Sequence, residues 1–105
     1  MSTVSQVFIL KPRPGHLEAL MRDLRRFHAL VKRAGGTMRA WNEISGTSAG
    51  SIAVLIDNRD WKAYAAYRSK LDSDPEWQAL RAEIGARKEP FADIIATGMN
   101  EEVPT

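Results

Sequence analysis

Thr37-Met-Arg-Ala-Trp-Asn-Glu-Ile-Ser45, Gly46-Thr-Ser-Ala-Gly50 and Ser51-Ile-Ala-Val-Leu-Ile56 form the stretch on which the fold turns. Two strand-like runs joined by a short loop rich in Gly and Ser make an antiparallel hairpin. The second run is apolar at nearly every position, which predicts a central strand covered on both faces. In the first run the period of two puts Arg39, Trp41 and Glu43 on one side and Met38, Ala40, Asn42 and Ile44 on the other.

Upstream, Val4 to Leu10 carries Val4, Val7, Phe8 and Ile9 and reads as a strand. Lys11-Pro-Arg-Pro-Gly15 ends it, because proline removes backbone donors. From His16 onward, Leu17, Leu20, Met21, Leu24, Phe27 and Val31 recur with a helical period, and Ala34-Gly-Gly36 supplies a glycine stop. Downstream, Asn58 or Asp60 caps a helix running to about Leu71. Asp72-Ser-Asp-Pro-Glu76 breaks it, and either Ser73 with Glu76 as a capping box or Asp74 with Pro75 starts another, from Pro75 to Arg87. After Lys88-Glu-Pro90, Phe91 to Met99 is the last strand. The order is βαββαβ with a broken second helix: a ferredoxin-like α+β sandwich with its helices on one face of an antiparallel sheet. Val7 and Ile9, with Ile52, Val54 and Ile56, place apolar groups on more than one sheet face, and a bare apolar face predicts dimerisation.

The 105 residues suit one domain (1–105), with its core in 4–99 and a polar tail at 100–105. The absence of cysteine excludes disulfides, thiolate zinc sites, iron–sulfur clusters and a cysteine nucleophile. Two histidines leave little for a metal site, so no metal and no cofactor are expected. A net charge of +2 is too small to argue for nucleic acid, and no apolar run nears the roughly 18 residues of a membrane span. With no signal-peptide pattern, the expectation is a cytoplasmic, soluble protein. No phosphate-loop, dinucleotide, zinc-protease or nucleophile-elbow motif occurs.

The chain resembles the dimeric α/β-barrel superfamily, in particular its NIPSNAP-like and antibiotic-biosynthesis-monooxygenase-like members. The resemblance covers residues 4–99. It rests on the strand ending before Gly15, on Ala34-Gly-Gly36 leading to Trp41, on Asp60-Trp-Lys-Ala-Tyr64, and on Leu71-Asp-Ser-Asp-Pro-Glu-Trp77. It implies a homodimer whose two sheets form a barrel, with a cavity in each subunit between sheet and helices. In that superfamily such cavities host cofactor-free oxygenation of aromatics, cyclisation, isomerisation or haem breakdown, while other members have no known reaction. The haem-degrading pattern is not met, since the first strand offers Gln6 rather than Asn and no histidine follows His28.

His28 lies about 20° from Leu17 around the first helix, which predicts an imidazole on the apolar stripe. There it would serve as a general acid or base or a ligand contact, or else it is a histidine bonded to its neighbours or set at the stripe's edge. Trp61, Tyr64, Ala65, Arg68 and Leu71 share one face of the second helix, a pattern that suits packing as well as a ligand site. Arg68 would rest its stem on Trp61, pair with Asp57 or Asp93, or hold an anion; Asn42 would donate to an oxyanion or form a cross-strand amide pair. The basic run Arg22-Asp-Leu-Arg-Arg26 reads as a solvated face before a phosphate site. The expected function is a homodimer binding a small apolar or aromatic metabolite. As an enzyme it would be a cofactor-independent monooxygenase, cyclase or isomerase. His28 and Tyr64 would be catalytic, and Asn42, Trp61, Tyr67 and Arg68 would contact ligand. The alternative is a non-catalytic stress or accessory dimer in which all of these residues are structural.

Overall fold

A computed structural model describes residues 2–105. Its elements run β1 (Val4–Pro12), α1 (Leu17–Ala34), β2 (Thr37–Asn42), β3 (Ile52–Asn58), α2 (Trp61–Asp72), α3 (Pro75–Ala86) and β4 (Ala92–Glu101). The four strands form one antiparallel sheet in the order β2-β3-β1-β4, so β3 and β1 are interior and β2 and β4 are edges. None of the described helices is long and apolar enough to cross a membrane.

Helix boundaries follow from local chemistry. Gly35 adopts φ +103°, and its N–H and that of Gly36 bond the carbonyls of Lys32 and Val31 at 3.1 and 3.0 Å. The left-handed turn satisfies end carbonyls that the helix itself cannot. Asp60 caps α2 by accepting from the Ala63 N–H at 2.7 Å. Of the two starts open to α3, the structure takes Asp74, whose carboxylate accepts from the Glu76 N–H at 2.9 Å with Pro75 in the first turn. Ser73 instead closes α2, donating its hydroxyl to the Ser69 carbonyl at 2.8 Å.

Strand ends depart modestly from expectation. β2 stops at Asn42 rather than Ser45, because Glu43 turns into a loop closed by its bonds to Ser51 and Gly50, both 2.9 Å. β1 continues to Pro12, opposite Ala92, and β4 runs two residues past Met99, so Glu101 belongs to the sheet and not to the tail.

Strand alternation divides the sheet into two unlike faces. Val4, Gln6, Phe8 and Leu10 of β1 lie beside Asn58, Ile56, Val54 and Ile52 of β3 on the helix side. There Val54 and Ile56, together with Val31 of α1, Tyr67 and Leu71 of α2 and Leu80 of α3, are almost wholly buried. Each such side chain contributes about 1.5–3 kcal/mol against the ordering entropy of the chain. The other face carries Val7 and Ile9 of β1, Ala53 and Leu55 of β3, Trp41 of β2 and Ala96 of β4, with none of the described helices over them, so β3 is central as its apolar run predicts but is covered by helices on one face and not on both. A register shift between Ile9 and Leu10 leaves Ile95 as an extra residue in β4, a bulge beside the sheet edge.

Arginine–carboxylate pairs tie the elements together. Arg33 reaches Asp74 at 2.7 Å and Glu76 at 3.3 Å, linking the end of α1 to the start of α3. Arg26 grips Glu83 with two bonds of 3.1 and 3.0 Å. Arg13 bonds Asp93 at 2.8 Å and fastens β1 to β4.

Two predictions follow from this packing. A β-carbon at Gly36 would lie 3.0 Å from Val31 Cγ1 and 3.1 Å from the Tyr67 ring, so Gly36→Ala should lose about 1–3 kcal/mol in urea unfolding. The carboxylates of Asp74, Glu83 and Asp93 are held below their usual range, chiefly by hydrogen bonds from Arg33, Arg26 and Arg13 respectively. Unfolded carboxyls titrate near about 4, so this contribution is present above that pH and is lost as pH falls through the lower folded-state values. Thermal unfolding between pH 6 and pH 2 should therefore show Tm dropping below about pH 4, and Arg26→Gln, which releases Glu83, should make that drop shallower.

Candidate functional site

A cavity of about 240 Å³ lies between α1, α3 and the sheet. Phe8, Leu10 and Val54 supply its floor; Leu20, Leu24 and Phe27 its α1 side; Trp77, Leu80 and Ile84 its α3 side. These three sets come from the helix-facing residues of β1 and β3 and from the two helix stripes that converge on them. Phe27 and Trp77 meet across the gap with ring centroids 5.1 Å apart. The remaining side is formed by Pro90, Phe91, Ala92 and Ile94, where the chain leaves α3 and enters β4. Ile84 and Ile94 are 43% and 62% exposed, so the cavity opens there, at the free edge of the sheet.

One charged pair touches this apolar space. Asp23 of α1 and Arg87, just beyond α3, share two hydrogen bonds of 2.5 and 3.0 Å, and their side chains are only 13% and 14% exposed. The guanidinium carbon of Arg87 sits 3.8 Å from the centroid of the Phe91 ring, a cation–π contact at close range. Phe91 is also stacked on His16 at 5.3 Å. Asp23, Arg87 and Phe91 thus brace one another where α1, α3 and β4 converge. Among the described residues no cluster of His, Asp and Glu could hold a metal ion.

The residues singled out in the sequence lie elsewhere. His28 is exposed, which corrects its expected place on the apolar stripe. The reason is angular: the buried arc of α1 is centred on Leu20, Leu24 and Val31, and Leu17, beside which His28 sits, is itself half exposed. Trp61, Tyr64 and Tyr67 do come together, as a row of rings along α2 at 5.9 and 6.3 Å, but outside the cavity lining. The Trp61 indole N–H donates to Glu101 at 2.5 Å. Tyr67 is fully buried with no partner for its hydroxyl among the described residues, and burial pushes its pKa up to about 12. Such a group is a core ring at neutral pH and a poor proton donor to bases in solution. Arg68 pairs with Asp72, one turn along its own helix, at 3.3 Å. The two acids considered for it are engaged elsewhere, Asp57 with Arg39 and Asp93 with Arg13. Asn42 is exposed near the end of β2.

Asp23, Arg87, Phe91 and Trp77 are the residues that sequence reasoning did not assemble. A signal for the apolar part exists: the stripes Leu20, Leu24, Phe27 and Trp77, Leu80, Ile84 belong to helices that both face the sheet. Asp23 carries no such signal, since it is embedded in a basic run that reads as solvated.

No family model matches the sequence, and no curated protein does. Solved structures do match the fold. An uncharacterized NIPSNAP domain protein from Burkholderia xenovorans superposes with a TM-score of 0.70 at 19% identity, covering 97% of this chain and 94% of that one. A NIPSNAP family protein from Agrobacterium tumefaciens gives 0.71 at 17% identity over 98% and 93%. SnoaB, a cofactor-independent oxygenase from Streptomyces nogalater, gives 0.62 at 12% identity over 99% and 94%. The chain therefore has the ferredoxin-like α+β fold found in NIPSNAP proteins and in this oxygenase.

Proposed function

We propose that this protein binds a small apolar or aromatic molecule in the cavity between α1, α3 and the sheet, and that it works as a homodimer joined through the open sheet face. The observation that carries the binding reading is the cavity itself, lined almost wholly by aliphatic and aromatic side chains. An apolar cavity of about 150 Å³ is enough for benzene, so about 240 Å³ has room for a bicyclic body. The driving force is removal of apolar surface from water, with Phe27, Trp77 and Phe91 offering ring faces and edges.

The lining supports binding more than chemistry. Its only titratable groups are Asp23 and Arg87, and each already satisfies the other. A proton-transfer scheme through His28 and Tyr64, assisted by Asn42 or Arg68 and shaped by Trp61, draws no support from the lining. The likeness to a cofactor-independent oxygenase keeps oxygenation within the reach of the fold, at an identity that speaks for architecture alone.

The dimer reading rests on Val7, Ile9, Leu55, Ala53 and Trp41, an apolar stripe rimmed by the Arg39–Asp57 ion pair and left without a helix. A two-fold axis through such a patch would pair it with its own copy. This interface leaves the cavity accessible, because the cavity lies on the opposite side of the sheet.

Calorimetric titration with 2-naphthaleneethanol tests the binding reading. At about 0.5 kcal/mol per heavy atom, this probe should bind one per chain with Kd in the tens of micromolar. Ala92→Phe, which fills the cavity from β4, should weaken binding at least about tenfold while leaving the circular dichroism spectrum unchanged. A wild-type chain that binds no member of a panel of mono- and bicyclic aromatics would overturn it. For the dimer, sedimentation equilibrium should give twice the chain mass for wild type and the single chain mass for Leu55→Asp; a wild-type monomer at tens of micromolar would refute this interface.

A further inference from the structure

We infer that the ligand is an amphipathic anion, its apolar or aromatic body in the cavity and its carboxylate in a charged pocket that adjoins it. The inference rests on the binding reading above and adds the chemical class. A second cavity, of about 250 Å³, abuts the first, and Asp23, Arg87 and Phe91 line both, so the two chambers meet at these three residues. The rest of the second lining comes from Ala19, Arg22 and Arg26 of α1 and Glu83 of α3. Residues 19, 22, 23 and 26 have the spacing of one helix face, and 83 and 87 stand one turn apart, so the two helices present a continuous charged surface next to an apolar one.

The charges of this outer pocket do not balance. Three arginines face two carboxylates. Arg26 is matched by Glu83 and Arg87 by Asp23, each through two hydrogen bonds. Arg22 lines the pocket and makes no ion pair among the described residues, so one positive charge remains for a ligand. A carboxylate fits it, because a guanidinium presents parallel N–H groups that a carboxylate accepts together. The inner cavity, by contrast, holds no charge besides the already satisfied Asp23–Arg87 pair; the Trp77 indole N–H, buried without a partner among the described residues, is a neutral donor, and an unpaired charge is strongly disfavoured in apolar surroundings. The two chambers together orient the molecule, body inward past Phe91 and charge outward at Arg22. A cationic head would meet the residual positive charge, and a neutral one would gain a hydrogen bond but no ion pair there.

Three probes with the same bicyclic body separate these cases: 2-naphthylacetate, 2-naphthaleneethanol and 2-(2-naphthyl)ethylammonium, titrated by calorimetry into the full chain at pH 7 and low salt. The acetate should bind about fivefold tighter than the alcohol, as one exposed ion pair allows, and the ammonium more weakly than the alcohol. The acetate's advantage should shrink in 0.5 M salt. Arg22→Gln, an exposed substitution, should bring the acetate-to-alcohol ratio to about one with the alcohol's affinity unchanged, and Arg22→Lys should retain part of the preference. Equal binding of acetate and alcohol by wild type, or an equal loss of both in Arg22→Gln, would overturn the anion assignment while leaving the cavity reading intact. Failure of all three probes to bind would remove both.

Discussion

One layer of three helices has to cover a four-stranded sheet that carries apolar side chains on both faces, and most of the molecule follows from how far that layer reaches. The long helix α1 lies over the interior strands and buries Leu20, Leu24 and Val31. α2 adds Tyr67 and Leu71 above β3, at the end where Gly36 lets the chain pass close to the Tyr67 ring. α3 has only Leu80 fully buried, and β4, the edge on its side, is exposed along nearly its whole length. The coverage runs out between α1 and α3, and the space that remains is the cavity. On the far side of the sheet the described residues form no layer.

A gap of this kind ordinarily closes, because an unfilled apolar space forfeits dispersion contacts. Here the two helices are held at a fixed spacing by side chains that meet across the gap. Phe27 against Trp77, Arg26 on Glu83 and Asp23 on Arg87 span it at successive levels. The exposed Arg26 pair is worth little by itself, as surface ion pairs are. The Asp23–Arg87 pair is different in kind, because its side chains are largely removed from water and both oxygens of the carboxylate are used. Breaking one partner would strand the other beside an apolar space, which is the costly case for a shielded charge. The pair therefore fixes helix spacing more firmly than its own net stabilisation suggests.

How much of this was legible in the sequence depends on the distance over which each feature is determined. Caps and turns are local: the Gly35 stop is legible from neighbouring residues, and for α2 and α3 the sequence narrows the start to two candidates each, of which the structure takes Asp60 and Asp74-Pro75. The central place of β3 was legible from its unbroken apolar run, and the fold class from the order of elements. The site was not, for two reasons. A helical wheel gives relative angles but not which arc faces the sheet, so His28, measured against a half-exposed Leu17, falls at the edge of the apolar stripe and outside the buried arc. A cavity is a matter of distances between elements far apart in sequence, and Asp23 and Arg87, 64 residues apart, show no pattern that joins them. The aromatic residues of α2, prominent in the sequence, turned out to pack with one another.

The two unlike faces of the sheet are linked through the alternation of the same strands. Phe8 and Leu10 floor the cavity while Val7 and Ile9 lie on the open face, and Val54 and Leu55 divide in the same way on β3. At the cavity mouth the bulge at Ile95 separates Ile94, which lines the cavity, from Ala96, which stands opposite Ile9 on the open face. The open face therefore lies directly behind the strands that form the cavity floor, next to an edge strand whose register is irregular. The open face and the cavity floor are thus two sides of the same pair of strands, set by the period of a β-strand.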